Sequence, residues 1–535
     1  MRSVRRVTTL LAATALMVTA CAPQAPTTGG AAAPAATPSP ARGGTLVVAA
    51  SSDPGQLNTA ITTAGGTHFV AALLYNGLIF LDQEANPKPD LAEKWTISPD
   101  GRSYTFTLRQ NVKWHDGKPF TSADVKFSFE EVLLRYHGRT ATMRTVLDGI
   151  ETPDPFTVVF RFKQPYGPLL QRLDVIEAPI IPKHIYEGTD PTRNPANTQP
   201  VGTGPFKFAE YVRDDRTRFV RNPDYFKPNL PYLDEVIFRV IPQANTQVLA
   251  LENGEVDYLN SVPGPDLARL RANRDITIEK SAMGSGGSFC TSTLIFNLER
   301  PATGKVEVRQ ALAYAIDRAQ ILEQVNFGQG KVSEAFINSG LTWATNPNAP
   351  KYPLNRELAG QLLDRAGYPR GADGVRLSLD FVHPSAQSRL GELLRQQLQP
   401  IGINLVLKAL EVNAANEQVF IRRDFDIGWA SYCNGPDPEI GVRRMIDSTN
   451  IGPVLFSNGA AYRNPQVDDL LNRAAALTDR AERGRLYQEM QVILGRDLPY
   501  LGLVESEGYR AWRSSFKGFQ YWSGLFAETA YLEKR

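Results

Sequence analysis

Hydrophobic and polar positions change their period near the middle of this 535-residue chain. Residues 45–50, Thr-Leu-Val-Val-Ala-Ala after Gly43-Gly44, form the short, near-continuous apolar run of a buried strand. Strict alternation then places Tyr104, Phe106 and Leu108 on one strand face, Val158, Phe160 and Phe162 on another, and Val236, Phe238 and Val240 on a third. Asp116-Gly117 supplies a tight turn, and Thr121-Ser122-Ala123-Asp124 reads as a capping box opening a helix through about Leu134. Beyond residue 300 the spacing becomes helical. Val308, Leu312, Ala315, Ile316, Ala319, Leu322 and Val325 recur on one face, as do Leu358, Leu362, Leu363 and Ala366 before the stop at Gly367 and Pro369. A helix over about 386–400 gives way at Gly402 to the alternating Ile403, Leu405 and Leu407, and further helices run with breaks over 467–494. Helix followed by strand predicts an α/β second half behind a strand-rich first half. No period of 20–50 residues marks a solenoid or propeller.

The amino-terminal stretch departs from this pattern. Arg2, Arg5 and Arg6 precede a short apolar run over 10–18, too short to span a bilayer, and Val18-Thr19-Ala20-Cys21 closes it in the manner of a bacterial lipobox. Residues 1–20 are expected to be a lipoprotein signal peptide, with Cys21 lipidated; a plain secretory peptide cut near Ala20 is the alternative. Residues 21–42, rich in Ala, Pro, Thr and Gly with one charge, carry too little apolar surface to fold and are expected to be a tether. The chain has 58 Lys plus Arg against 56 Asp plus Glu. Loss of residues 1–20 removes three Arg and no acid, leaving a net charge of 55 − 56 = −1. That balance disfavours nucleic acid as a partner. Five His and three Cys exclude a zinc framework or a dense disulfide scaffold by supply, and no metal or cofactor is called for. With Cys21 lipidated, Cys290 and Cys433 remain, and one disulfide between them is expected outside the cytoplasm.

Pro89-Asp90-Leu91-Ala92-Glu93-Lys94-Trp95, Ser98-Pro99-Asp100-Gly101, and the run from Val112-Lys113-Trp114-His115-Asp116-Gly117 to Ala123-Asp124-Val125 resemble the family 5 extracellular solute-binding proteins of ABC importers. The resemblance continues in order through Val201-Gly202-Thr203-Gly204-Pro205-Phe206, Arg221-Asn222-Pro223-Asp224-Tyr225, Gly254-Glu255-Val256-Asp257, Val308-Arg309-Gln310-Ala311-Leu312 and Ala366-Gly367-Tyr368-Pro369. It implies an α/β, two-lobed periplasmic-binding-protein fold that closes like a flytrap, with a discontinuous lobe I carrying an inserted subdomain. Mapping the motifs gives lobe I as 43–288 and 508–535, and lobe II as 289–507. The resemblance further implies a monomeric, extracytoplasmic receptor, lipid-anchored to the cell membrane or in the periplasm. Such a receptor delivers a peptide or similar small polar solute to ABC permease subunits and does no chemistry.

Residues 426–439 match the family segment that lines the cleft from lobe II. In the peptide binders an Asp shortly after the Trp pairs with the peptide amine; here those places hold Ser431, Tyr432 and Cys433. The missing anchor leaves an oligosaccharide or opine-like solute open beside a peptide, with nickel or haem, which need few protein donors, behind them. Trp429 and Tyr432 offer rigid area for stacking, or Trp429 serves the core. Asn434 suits a hydroxyl-rich ligand. Asp437 is either a substitute anchor or a turn residue between two prolines. Of Arg443 and Arg444, one is placed to pair a ligand carboxylate, and Arg443 stands first. From lobe I, Asn58 and the loop holding Thr63, Gly66 and His68 form a small polar lip or a plain connection. A secreted hydrolase is the competing class, but no Gly-x-Ser-x-Gly, His-Glu-x-x-His or Walker pattern is present. A solute sensor is a third reading, separated from an importer only by its genomic neighbours.

Overall fold

The computed structural model describes residues 40, 42–62, 64–82, 86–281, 289–453, 455–520 and 525–533. The expected signal peptide, Cys21 and most of the tether lie outside the described residues, as does Thr63.

Two large sheets organise the body. The first has seven strands in the order Ile276–Lys280, Tyr509–Arg513, Tyr258–Leu259, Thr45–Ala50, Glu235–Val240, Arg216–Arg221 and Phe206–Val212. The apolar run at 45–50 is its centre, parallel to Glu235–Val240 on one side and Tyr258–Leu259 on the other, which is why it is apolar almost throughout. The second sheet has six strands, ordered Lys331–Val332, Tyr500–Glu505, Cys290–Phe296, Ile427–Cys433, Leu377–Pro384 and Ile403–Leu410. All first-sheet strands but one precede residue 281, and all second-sheet strands fall within 290–505. The chain therefore passes between sheets twice. The two crossings lie side by side, with the Ser281 amide donating to the Gly508 carbonyl (2.8 Å) and the Ser506 amide to the Cys290 carbonyl (3.1 Å). The fold is α/β and two-lobed.

A four-stranded antiparallel sheet (Ala92–Ile97, Ser103–Leu108, Thr157–Phe162, Leu147–Asp154) is inserted in the first lobe. Its alternating faces bury Tyr104, Phe106, Phe160 and Phe162 in one core with Leu46, Val48 and Phe238 of the seven-stranded sheet. At the Thr121 helix start, the Asp124 carboxylate accepts the Thr121 amide at 2.9 Å, as the capping pattern predicts. That helix runs to Tyr136 through a wider-wound stretch at Ser128–Leu133.

In the second lobe, strand alternation separates two cores. Leu294 and Phe296 face helices Val306–Ala315, Arg356–Arg365 and Ser388–Leu398; Ile295 faces helices Pro465–Ala476 and Arg480–Asp497. The single apolar series over 308–325 proves to be two helices. Asp317 breaks it by accepting the Gln320 amide (3.0 Å) and capping Arg318–Gln324.

Candidate functional site

Strand Ile427–Cys433 lies beside Cys290–Phe296 in antiparallel register, with Cys290 opposite Cys433, Ser292 opposite Ser431 and Leu294 opposite Trp429. The two thiols form the expected disulfide, closing a sequence separation of 143 residues. The alternation of this strand decides which of its side chains can meet a solute. Ser431 is exposed, whereas Tyr432 is 1% exposed in the core beneath the sheet, its hydroxyl donating to the Ser457 carbonyl (3.0 Å). The stacking role expected of Tyr432 is thereby corrected. Trp429 is half-buried and donates its indole N–H to Ser292 Oγ (2.9 Å), which favours the core alternative.

The loop beyond the strand differs from expectation in three further places. Asn434 is buried, and its side-chain oxygen accepts the Asn338 amide (2.7 Å). Asp437, 1% exposed, receives two guanidinium N–H groups of Arg483, each at 2.7 Å, and also the Glu439 amide (2.9 Å). It is neither a free anchor nor only a turn residue. Arg443 is held by Glu439 (2.8 Å), Asp447 (2.6 Å) and Asn472 (3.0 Å). In this structure Asn434, Asp437 and Arg443 are thus engaged by other protein groups.

In the first lobe, Asn58 is fully buried. It caps a short turn through the Ala60 amide (3.0 Å) and donates to Asn197 Oδ1 (2.9 Å), so it holds the lip rather than lining it. Gly66 is exposed with open space around it apart from Ser52 Oγ. His68 is buried; its Nε2 donates to the Thr62 carbonyl (2.8 Å), and its ring stands edge-on to His137 with centroids 6.0 Å apart.

His137 leads into charged residues that carried no signal in the sequence. Arg139 Nε donates to Glu177 (2.8 Å), Thr140 Oγ1 donates to the Glu177 carbonyl, and His137 Nδ1 meets the same hydroxyl at 2.9 Å. Asp174 accepts the Ile176 and Glu177 amides at 3.1 and 2.9 Å, so one turn presents both carboxylates. Burial, and then the Glu177 charge, push the Asp174 carboxyl up to about 7. Burial, and then the Arg139 charge, push His68 down to about 4 and hold His137 well below its usual value. Both imidazoles are therefore neutral at neutral pH.

Arg444 faces this cluster from the second lobe. It is half-buried, lies over the Tyr432 ring at 5.9 Å, and makes only long contacts to the carbonyls of Gly441 (3.3 Å) and Cys433 (3.5 Å). Burial and the Arg139 charge hold its guanidinium down to about 10. No carboxylate stands at ion-pair distance from it among the described residues, in contrast to Arg443 beside it, although the charge of Glu177, itself paired to Arg139, reaches it. A desolvated cation with a second cation nearby is a place for an anion. Among the described residues no group of three or more His, Cys, Asp or Glu is placed to hold a metal ion, and no helix is long and apolar enough to cross a membrane.

Comparison with known proteins bears on the whole body. The model of the bacterial extracellular solute-binding proteins, family 5, matches residues 86–453. Heme-binding protein A of Haemophilus influenzae is 29% identical over 475 residues, covering 83% of this chain and 84% of the relative. The periplasmic binding protein DppA of Helicobacter pylori, solved with the peptide STSA, superposes with a TM-score of 0.81 at 25% identity, covering 92% of this chain and 99% of that one. AgaA of A. tumefaciens R10, solved with agropinic acid, gives a TM-score of 0.79 at 28% identity, covering 92% and 99%.

Proposed function

The chain belongs to the bacterial extracellular solute-binding proteins, family 5, and serves as the extracytoplasmic substrate-binding component of an ABC importer; from this premise we propose that its solute carries a carboxylate and is held by Arg444 as the lobes meet, with the Arg139–Glu177 pair opposite. The observation that carries this reading is the half-buried Arg444 with no carboxylate partner. At neutral pH its guanidinium keeps its charge, and a ligand carboxylate would replace lost hydration with a charge-assisted pair.

The substitution of Ser431, Tyr432 and Cys433 for an amine-binding Asp favours a solute defined by its acid end. A peptide bound through its carboxylate fits, and an opine-like acid fits equally, in line with the agropinic acid that AgaA holds. A neutral oligosaccharide leaves Arg444 unmatched. Lobe I is taken as 43–288 with 508–535, and lobe II as 289–507. The protein acts as a monomer, delivers its solute to permease subunits, catalyses no reaction, and is tethered by a lipid on Cys21 after removal of residues 1–20. Metabolic labelling with a fatty acid tests the anchor; an unlabelled wild type with its amino terminus elsewhere would refute it. A thermal-shift screen over short peptides, opine-type acids and neutral oligosaccharides tests the solute class. Stabilisation by acids that is lost in Arg444→Met is expected, and stabilisation by neutral sugars alone would overturn the reading.

A further inference from the structure

A second set of contacts between the lobes centres on Arg172, a buried cation that meets only backbone carbonyls and leaves its Nε without a hydrogen-bond partner. The Gly167 amide, in the inserted subdomain, donates to the Ala475 carbonyl at the end of helix Pro465–Ala476 (3.0 Å). Close by, Arg172 is 1% exposed and spans the lobes, donating to the Arg139 carbonyl on its own side (2.9 Å) and to the Glu439 carbonyl on the other (3.1 Å). One buried ion pair holds the backbone beside both second-lobe acceptors. Asp437 fixes the Glu439 amide, and Arg483, paired to Asp437, donates Nε to the Ala474 carbonyl (3.0 Å). Ala475 itself is buried in the first-lobe core cluster.

We propose that Gly167 and Arg172, seated on carbonyls positioned by Asp437–Arg483, form a latch that holds the lobes closed. The latch rests on the two-lobed fold and not on the Arg444 reading. Its critical feature is the absence of a side chain at Gly167. A Cβ there would stand 1.8 Å from the Leu477 carbonyl oxygen, 2.9 Å from its carbon and 3.1 Å from Thr478 Cα, all backbone atoms that cannot swing aside. Gly167 is not in the left-handed region, so its own segment accepts alanine without strain. Gly167→Ala is thus tolerated by each lobe alone and clashes only when they meet. Arg172 also ties the latch to Arg139, so closure and solute contact move together.

The test needs no solute. Pro165 Cβ and Thr478 Cγ2 lie 3.2 and 3.4 Å from where a Gly101 Cβ would stand, on opposite sides of the contact. In full-length Pro165→Cys/Thr478→Cys protein, a short bismaleimide should link the two thiols rapidly, read by peptide mass spectrometry. Adding Gly167→Ala should slow the link at least tenfold with the melting temperature unchanged. Equal rates in the two backgrounds, or no link in either, would overturn the latch. Should Gly167→Ala lower the melting temperature, amide hydrogen exchange of the wild type decides instead. Protection of the Gly167 amide supports the latch, and free exchange refutes it.

Discussion

Asp437 and Arg483 meet through two hydrogen bonds of 2.7 Å with 2% and 4% of their side chains exposed, joining segments 46 residues apart. A buried pair of this kind is costly to break, because the surviving charge has no water to turn to. Asp437→Asn should therefore cost about 3–5 kcal/mol in denaturant unfolding. A loss below about 1 kcal/mol would mean that water or another group reaches Arg483.

The Cys290–Cys433 bridge, spanning 143 residues, joins the first strand after one lobe crossing to the strand that leads into the Arg444 loop. The chain-entropy model assigns a loop of that length roughly 5 kcal/mol, reduced by any residual structure in the reduced unfolded chain. Cys290→Ala/Cys433→Ala should lower the melting temperature by several degrees and weaken solute binding. Two thiols titrating freely in the unreduced, unfolded wild type would contradict the pairing.

Those outcomes also mark what was legible in the sequence. Strand Thr45–Ala50, the alternating strands and the Thr121 start follow from local period and local hydrogen bonding, and the disulfide from a count of thiols. Between Arg443 and Arg444 the expectation favours Arg443, and the sequence holds a local signal that bears on this choice. Glu439 and Asp447 stand four residues on either side of Arg443, the spacing of helical ion pairs, and this claims Arg443 and leaves Arg444. Asp437 was unreadable because Arg483 is remote in sequence, and Arg139, Asp174 and Glu177 because only the packed turn brings them together.

Acid should destabilise the fold. Burial pushes His68 and His115 down to about 4 and holds His137 well below its usual value, against 6.5 when unfolded. Between those values the unfolded chain holds more protons, so stability contributed by each is present above pH 6.5 and lost as pH falls toward 4, roughly 3 kcal/mol for His68. Asp174 acts oppositely. Raised from 3.8 to about 7, it keeps its proton in the folded state and subtracts stability as pH rises through that window. Asp90 and Asp257, also raised by burial, act in the same sense as Asp174; with the three imidazoles set against these three carboxyls, the melting temperature should climb from pH 4.5 to 6.5, and more steeply in Asp174→Asn. A flat or falling profile would contradict these environments.

Arg443→Met and Arg444→Met separate structure from binding within one dipeptide. The first strips Glu439 and Asp447 of their shared cation and should lower the melting temperature. The second removes a charge with no carboxylate partner among the described residues and should leave the melting temperature of the solute-free protein unchanged or higher. Equal destabilisation by both would show that Arg444 has a structural anion after all.

The most direct measurement of the central claim is mass spectrometry of small molecules released on denaturing gently purified protein, wild type against Arg444→Met. The wild type should carry a small carboxylic acid at near-stoichiometric amount, depleted at least tenfold in Arg444→Met. The same acid retained at equal occupancy by the variant, or a neutral solute in the wild type, would contradict a carboxylate held on Arg444.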